Sequence, residues 1–210
     1  MSSAQVLTED QRDCMQEIVN VAMGQAGDNL ARYLETFIHL SIPKIRLVNS
    51  ADFVPEISRL VDGAEYISAV RQGFYSVQGT SQIRGEAIVV FGDSSFHELA
   101  DLLAYEGELS SQDEVELLLE VSNILNSACL SGLGEQMEVD LGFSPPSVIG
   151  QHIRVESVVT EEELSWSRAL FVEIKYTLES KSFNCSLLLM MPGVAIQAVQ
   201  EKLDHLLDGF

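Results

Sequence analysis

QRDCMQEIVN, residues 11–20, opens a stretch that this 210-residue chain contains twice; its counterpart is DEVELLLEVSN, residues 113–123. Four pairs of positions correspond at one constant offset of 103 residues: Asp13 and Glu116, Glu17 and Glu120, Asn20 and Asn123, Pro43 and Pro146. One such match would be chance, whereas four at a single offset indicate an internal duplication. The sequence therefore predicts a single domain, residues 1–210, made of two internal repeats at about residues 7–105 and 110–208.

The acidic and asparagine positions of each copy lie on one stripe of an α-helix, because residues at i, i+4 and i+7 share a face. A second stripe marks the core side in each copy. Its members are Met15, Ile18, Val19, Ala22, Ala26, Leu30 and Leu34 in the first copy, and Val115, Leu118, Leu119, Ser122, Leu125 and Leu130 in the second. We predict two amphipathic helices, one N-capped by Thr8 and running to about Ile38, the other from about Gln112 to Met137.

The Glu/Asn pairs, Glu17 with Asn20 and Glu120 with Asn123, are expected outside the buried faces. An exposed asparagine in mid-helix costs about half a kcal/mol relative to alanine. The two pairs could be ordinary solvated polar positions that were inherited through duplication. The preserved spacing instead favours a functional role for them. An asparagine amide donates and accepts at once, so it can orient a water molecule, and a glutamate can pair with a cation on another molecule. Such a pair could position water for attack on a phosphoryl group that a partner brings.

The pattern Asp or Ser, three residues, Glu, two residues, Asn, twenty-two residues, Pro resembles that of the CheC/CheX/FliY phosphatases of bacterial chemotaxis, most closely the two-site CheC branch. Two departures are visible. Glu116 stands where the family usually has Asp or Ser, and Val19 and Ser122 stand where a glycine is common.

The resemblance implies hydrolysis of the aspartyl phosphate of a phosphorylated CheY-type response regulator. Asn20 and Asn123 would each orient the attacking water, and Glu17 and Glu120 would pair with the regulator's active-site lysine. No cofactor is expected on this chain, since the Mg²⁺ of such a reaction lies in the regulator.

Two other functions remain open. One is a non-catalytic, regulator-binding component similar to the flagellar switch protein FliM, which has the fold without the Glu/Asn pairs. The other is a regulatory adaptor, since proteins that resemble CheC can bind the receptor deamidase CheD; we expect that surface at Ser147 to Glu163.

The net charge of −20, from 12 basic and 32 acidic residues, argues against nucleic acid and anionic membranes as partners. We expect a cytoplasmic protein, because no run reaches the length of a membrane span and the N-terminus has no export signal. Cys14, Cys129 and Cys185 do not correspond under the offset and are expected as reduced thiols. The four histidines are scattered and are assigned no role.

Each half has the same predicted order of helix, strand, hairpin and helix. The predicted strands are 44–48, 66–77 and 83–91 in the first half and 147–155, 167–178 and 183–190 in the second, with turns at 78–81 and 179–182. Short helical pieces are predicted at 54–60 and 158–163, and C-terminal helices at 95–105 and 193–207. The fold class is therefore α/β (α+β), a CheC-like pseudo-two-fold sandwich whose mostly antiparallel six-stranded sheet carries the two long helices on one face.

Overall fold

The computed structural model describes residues 7–61, 64–77, 82–92, 95–103, 105, 109–158, 167–178 and 183–208. The helices are α1 (Glu9–Tyr33), α2 (Phe53–Leu60), α3 (Ser95–Leu102), α4 (Ser111–Gln136) and α5 (Val194–Leu207), with 3₁₀ turns at Ser50–Asp52 and Val155–Ser157. The strands are β1 (Ile38–Leu40), β2 (Lys44–Asn49), β3 (Tyr66–Ser76), β4 (Arg84–Gly92), β5 (Leu141–Phe143), β6 (Ser147–Arg154), β7 (Arg168–Leu178) and β8 (Asn184–Pro192).

These strands form one antiparallel sheet that is six strand positions wide. Its order is β1-β7-β8-β4-β3-β5, with β2 also paired to β7 and β6 also paired to β3. At each edge of the sheet, two consecutive strands pair one after the other with the same neighbouring strand. The mostly antiparallel sheet of the sequence prediction is confirmed.

The two repeats exchange their outer strands. In the first repeat β1 and β2 pair with β7 of the second, and in the second repeat β5 and β6 pair with β3 of the first. The central pairing of β4 with β8 joins the repeats again. Both halves therefore contribute to every region of the sheet.

The core has two layers, one on each face of the sheet. On one face, α1, α4 and α5 cover the larger apolar cluster, to which strand β7 contributes Val172 and Ile174. On the other face, α2 covers a smaller cluster that includes Phe53 and Phe171. Strand residues alternate between the two clusters, as the period of a β-strand requires. The long helices lie on one face, as predicted.

Helix α1 begins as predicted and ends earlier than predicted. Thr8 caps it, and Gln11 completes a capping box with the Thr8 backbone. The prediction that the helix continues to about Ile38 is wrong: it ends at Tyr33, and residues 38–40 form β1, paired with the end of β7. Leu34 and Ile38 are buried, so their four-residue spacing suited a helix although Ile38 lies in a strand.

The two long helices end in the same backbone conformation. Glu35 and Glu138, which are 103 residues apart, both have positive φ angles, of 49° and 50°. This left-handed conformation turns the chain out of the helix and into a short strand in both repeats. Those strands, β1 and β5, were not predicted.

Several predicted features lie wholly or partly outside the described residues. They are the turns at 78–81 and 179–182 and nearly all of the helical piece at 158–163. Helix α3 ends at Leu102 rather than at Tyr105. The second long helix, α4, agrees with its prediction within a residue at each end.

Helix α4 qualifies the expectation about membrane spans. By length and composition it is apolar enough to cross a membrane, but 61% of its most apolar 18-residue segment is buried inside the protein. A buried core helix of a globular domain can have the same length and composition.

Candidate functional site

The candidate site lies on a pair of adjacent antiparallel helices, α1 and α4. They pack closely where Gly132 faces Ala22, because a β-carbon at residue 132 would stand 2.9 Å from the Ala22 Cα. Further along, the Tyr33 side chain, in the last turn of α1, lies beside the Glu120 side chain of α4. The N-terminal half of each helix therefore lies beside the C-terminal half of the other.

All four predicted site residues lie away from the core. Glu17, Glu120 and Asn123 are exposed, and Asn20 is half-buried. Ile18, Val19, Val121 and Ser122, their neighbours in sequence, are buried. The helix period thus turns each Glu/Asn pair outward while its neighbours anchor the helix on the sheet. The chemical roles of the four residues remain predictions.

The first pair is open. Glu17 and Asn20 make no side-chain hydrogen bond to any residue in the described part of the chain. One turn after Asn20, Gly24 has no atom within 4 Å of the position that a β-carbon would take. Gly27 differs, because its β-carbon would meet the Leu40 side chain at 2.9 Å. Gly24 therefore borders open space, whereas Gly27 packs closely against β1.

The second pair is held by neighbours that sequence reasoning missed. The Ser127 hydroxyl donates to the Asn123 Oδ1 at 3.3 Å. The Tyr33 hydroxyl lies beside Glu120, and burial together with this carboxylate raises the pKa of Tyr33 well above its ordinary value. Comparison at the 103-residue offset would have pointed to Ser127, because its counterpart is Gly24.

The two pairs are separate sites. Asn20 precedes Tyr33 by 13 residues along α1, and Tyr33 contacts Glu120. At a rise of 1.5 Å per residue the pairs are about 20 Å apart along the helix axis. One water molecule or one phosphoryl group cannot contact both pairs.

No group of three or more His, Cys, Asp or Glu side chains suited to a metal ion occurs among the residues that the structure describes. Cys129 and Cys185 are buried free thiols, and burial raises the pKa of Cys129 to about 12. An open groove of about 930 Å³ lies between the end of α4, β5 and α5. None of the four site residues lines it.

No protein-family model matches the sequence. The structure resembles FliY of Thermotoga maritima with a TM-score of 0.70 at 18% identity, over 96% of this chain and 99% of that chain. It resembles the chemotaxis protein CheX of Desulfovibrio desulfuricans with a TM-score of 0.53 at 17% identity, over 82% and 99% of the two chains. For the FliM middle domain of H. pylori the TM-score is 0.59 at 10% identity, over 93% and 99%. The chain thus has the fold of the CheC/CheX/FliY proteins, which the FliM middle domain shares.

Proposed function

We propose that this chain acts in bacterial chemotaxis as a phosphatase that hydrolyses the aspartyl phosphate of a phosphorylated CheY-type response regulator. The observation that carries the proposal is the repeated Glu/Asn pair, turned outward on two adjacent helices. The fold supports it, because the solved structures that it resembles are chemotaxis and flagellar proteins. The chain spans nearly the full length of those structures, so the proposal concerns the whole domain.

The asparagine of each pair orients the attacking water. Its carbonyl oxygen accepts a hydrogen bond from the water, and its amide N–H groups remain free to donate. The water oxygen forms a bond to phosphorus in line with the bond between phosphorus and the aspartyl oxygen, which breaks. Inorganic phosphate and the regulator's free aspartate are the products. Positioning supplies most of the catalysis in phosphoryl transfer, so no nucleophile is needed on this chain.

The glutamate of each pair binds the regulator. Its exposed carboxylate, one helical turn from the asparagine, would pair with the regulator's active-site lysine. The Mg²⁺ ion belongs to the substrate, where the regulator's own acidic residues hold it. The net charge of −20 favours a partner with a basic face. We place this reaction in the cytoplasm, where response regulators act.

A second candidate function is a non-catalytic, regulator-binding component of the flagellar switch. The likeness to FliM middle domains favours it. A FliM-SpeE complex from H. pylori, with a TM-score of 0.61 at 9% identity, supports the use of this fold in binding partner proteins. A CheD-type deamidase is a further proposed partner. Strand β6, at an outer position of the sheet, begins the surface at Ser147–Glu163 where we expect it.

The decisive experiment is the decay of a phosphorylated CheY-type regulator in excess Mg²⁺, with and without this protein. We expect faster decay with the wild-type chain and only the regulator's own rate with the Asn20→Ala/Asn123→Ala double variant. Both residues lie outside the core, so circular dichroism should show an unchanged fold. Retained activity in the folded double variant would contradict the mechanism. Binding without faster decay would favour the switch or adaptor function.

A further inference from the structure

The two Glu/Asn pairs have the same residues and different surroundings. In the second site, the Ser127 hydroxyl donates to the Asn123 side chain and Tyr33 lies beside Glu120. At the 103-residue offset the counterpart of Ser127 is Gly24, which has no side chain, and the counterpart of Tyr33 is Gln136. The duplicated helices therefore present one supported pair and one unsupported pair.

The contact with Ser127 restricts the Asn123 amide without consuming it. A carbonyl oxygen has two lone pairs, so Oδ1 can accept from Ser127 and still accept from a water molecule. The bond to the hydroxyl favours one rotamer and one orientation of the amide. In the first site the Asn20 amide must be ordered when the regulator binds, which reduces the fraction of complexes in the reactive geometry.

The contact with Tyr33 restricts the Glu120 carboxylate in the same way. Tyr33 is half-buried and packs against the main core cluster, so its ring is fixed by the helix pair. A tyrosine hydroxyl is protonated at neutral pH and so able to donate, and burial and the nearby carboxylate raise its pKa further. A carboxylate accepts up to about four hydrogen bonds, so Glu120 keeps capacity for a cation on the partner.

We propose that Ser127 and Tyr33 are positioning residues of the second site, which they hold ready for the regulator while the first site stays open. The proposal rests on the phosphatase function proposed above. It follows that the second site has the higher turnover number, although the groups that touch the substrate are the same in both.

Single-site versions of the full chain make this measurable. Asn20→Ala leaves only the second site active, and Asn123→Ala leaves only the first site active. The substrate is the phosphorylated CheY-type regulator with Mg²⁺, and kcat and KM are determined separately. With only the second site active, Ser127→Ala should lower kcat about three- to tenfold with little change in KM. Ser127→Thr, which keeps a hydroxyl, should restore it.

The first site allows the reverse experiment. A β-carbon at residue 24 meets no atom within 4 Å, so a serine fits there. With only the first site active, Gly24→Ser should raise kcat, and Gly24→Ala, which lacks the hydroxyl, should raise it less or lower it. Tyr33→Phe should reduce kcat/KM more strongly in the second site than in the first. Equal effects of Ser127→Ala and Ser127→Thr, or of Tyr33→Phe on both sites, would overturn the proposal.

A readout that needs no catalysis separates this proposal from the phosphatase function. The side-chain amide order parameters of Asn123 and Asn20, measured by NMR on the free protein, should differ, with Asn123 the more ordered. Ser127→Ala should remove the difference. An Asn123 amide as mobile as that of Asn20 would overturn the positioning role whether or not the chain hydrolyses phosphate. Absent hydrolysis with an ordered Asn123 amide would contradict only the phosphatase function.

Discussion

Gly132 of α4 lies directly against Ala22 of α1. A β-carbon at residue 132 would stand 2.9 Å from the Ala22 Cα and 3.1 Å from its Cβ. Contact with the backbone of the neighbouring helix cannot be relieved by rotating a side chain. Gly132→Ala should therefore push the helices apart and lower the free energy of unfolding by about 1–3 kcal/mol, measured by urea denaturation.

Gly24→Ala is the matched control for that helix crossing. It also replaces a helical glycine, but in open space. It should raise the free energy of unfolding by about 0.5–1 kcal/mol, because alanine is the better helix former. Equal shifts for the two variants would contradict the packing argument.

A carboxylate on β7 links the sheet to α2. Glu173 is 5% exposed and pairs with Arg46 at 2.9 Å, with Arg59 at 2.5 Å and with Lys44 at 3.6 Å. Glu173→Gln should lower the free energy of unfolding by about 2 kcal/mol, because the guanidinium groups lose a buried counter-charge and are themselves only partly exposed.

Glu65→Gln provides the comparison for Glu173. Glu65 pairs with Arg154 at 3.0 Å, and both side chains are more than half exposed. Exposed pairs contribute about 1 kcal/mol or less, so thermal and urea unfolding should change little. A larger loss for Glu65→Gln than for Glu173→Gln would show that burial does not determine the strength of these ion pairs.

A buried hydroxyl lies beneath the second site. Ser122 is fully buried, and its Oγ has no hydrogen-bond partner among the described residues. Ser122→Ala removes this unsatisfied group and should raise the free energy of unfolding by about 1 kcal/mol. Ser131→Ala, at an exposed position of the same helix, should give only the gain in helix propensity, about 0.3–0.5 kcal/mol. A loss of stability in Ser122→Ala would indicate that the hydroxyl is hydrogen-bonded.

The buried thiols make stability depend on alkaline pH. Burial raises the pKa of Cys129 from an ordinary 9.0 to about 12 and raises that of Cys185 as well. The unfolded chain then loses these protons at lower pH than the folded one. Stability contributed by the neutral thiols is complete below about pH 8.5 and is lost as the pH rises toward the folded-state values.

The free energy of unfolding should fall by about 1.4 kcal/mol per pH unit for each buried thiol between about pH 9 and 12. Urea denaturation over this pH range measures the slope, and Cys129→Ala should make it smaller by the contribution of one thiol. A slope unchanged in Cys129→Ala would mean that this thiol ionises equally in the folded and unfolded states.

The glutamates should act on binding as well as on rate. Glu17→Ala and Glu120→Ala each remove an exposed carboxylate that is proposed to pair with a regulator lysine. Each variant, measured with its own site as the only active one, should bind the regulator more weakly and with a smaller dependence on salt, because one ion pair is lost. Isothermal titration calorimetry at two ionic strengths tests this. Unchanged affinity in both would contradict the pairing role.

The sequence by itself determined the features that depend on neighbouring residues. The helix period places Glu17, Asn20, Glu120 and Asn123 on outward stripes, and Thr8 with Gln11 specifies the start of α1, because these patterns involve side chains within two turns of one another. The extended runs at 66–77, 83–91, 167–178 and 183–190 predicted the four central strands for the same reason. The repeated pattern predicted two similar halves and the fold class that the structure has.

Tertiary structure decided what depends on residues far apart in the chain. Ile38 continues the apolar spacing of a helix, yet pairing with Leu178 places it in a strand. The exchange of outer strands between the repeats has no local signal, because each strand would pair equally well by its own pattern with either half. The same holds for Tyr33, which reaches Glu120 only because the two helices lie antiparallel. Local periodicity fixes which face of an element is buried, and contacts between distant segments decide what lies against it.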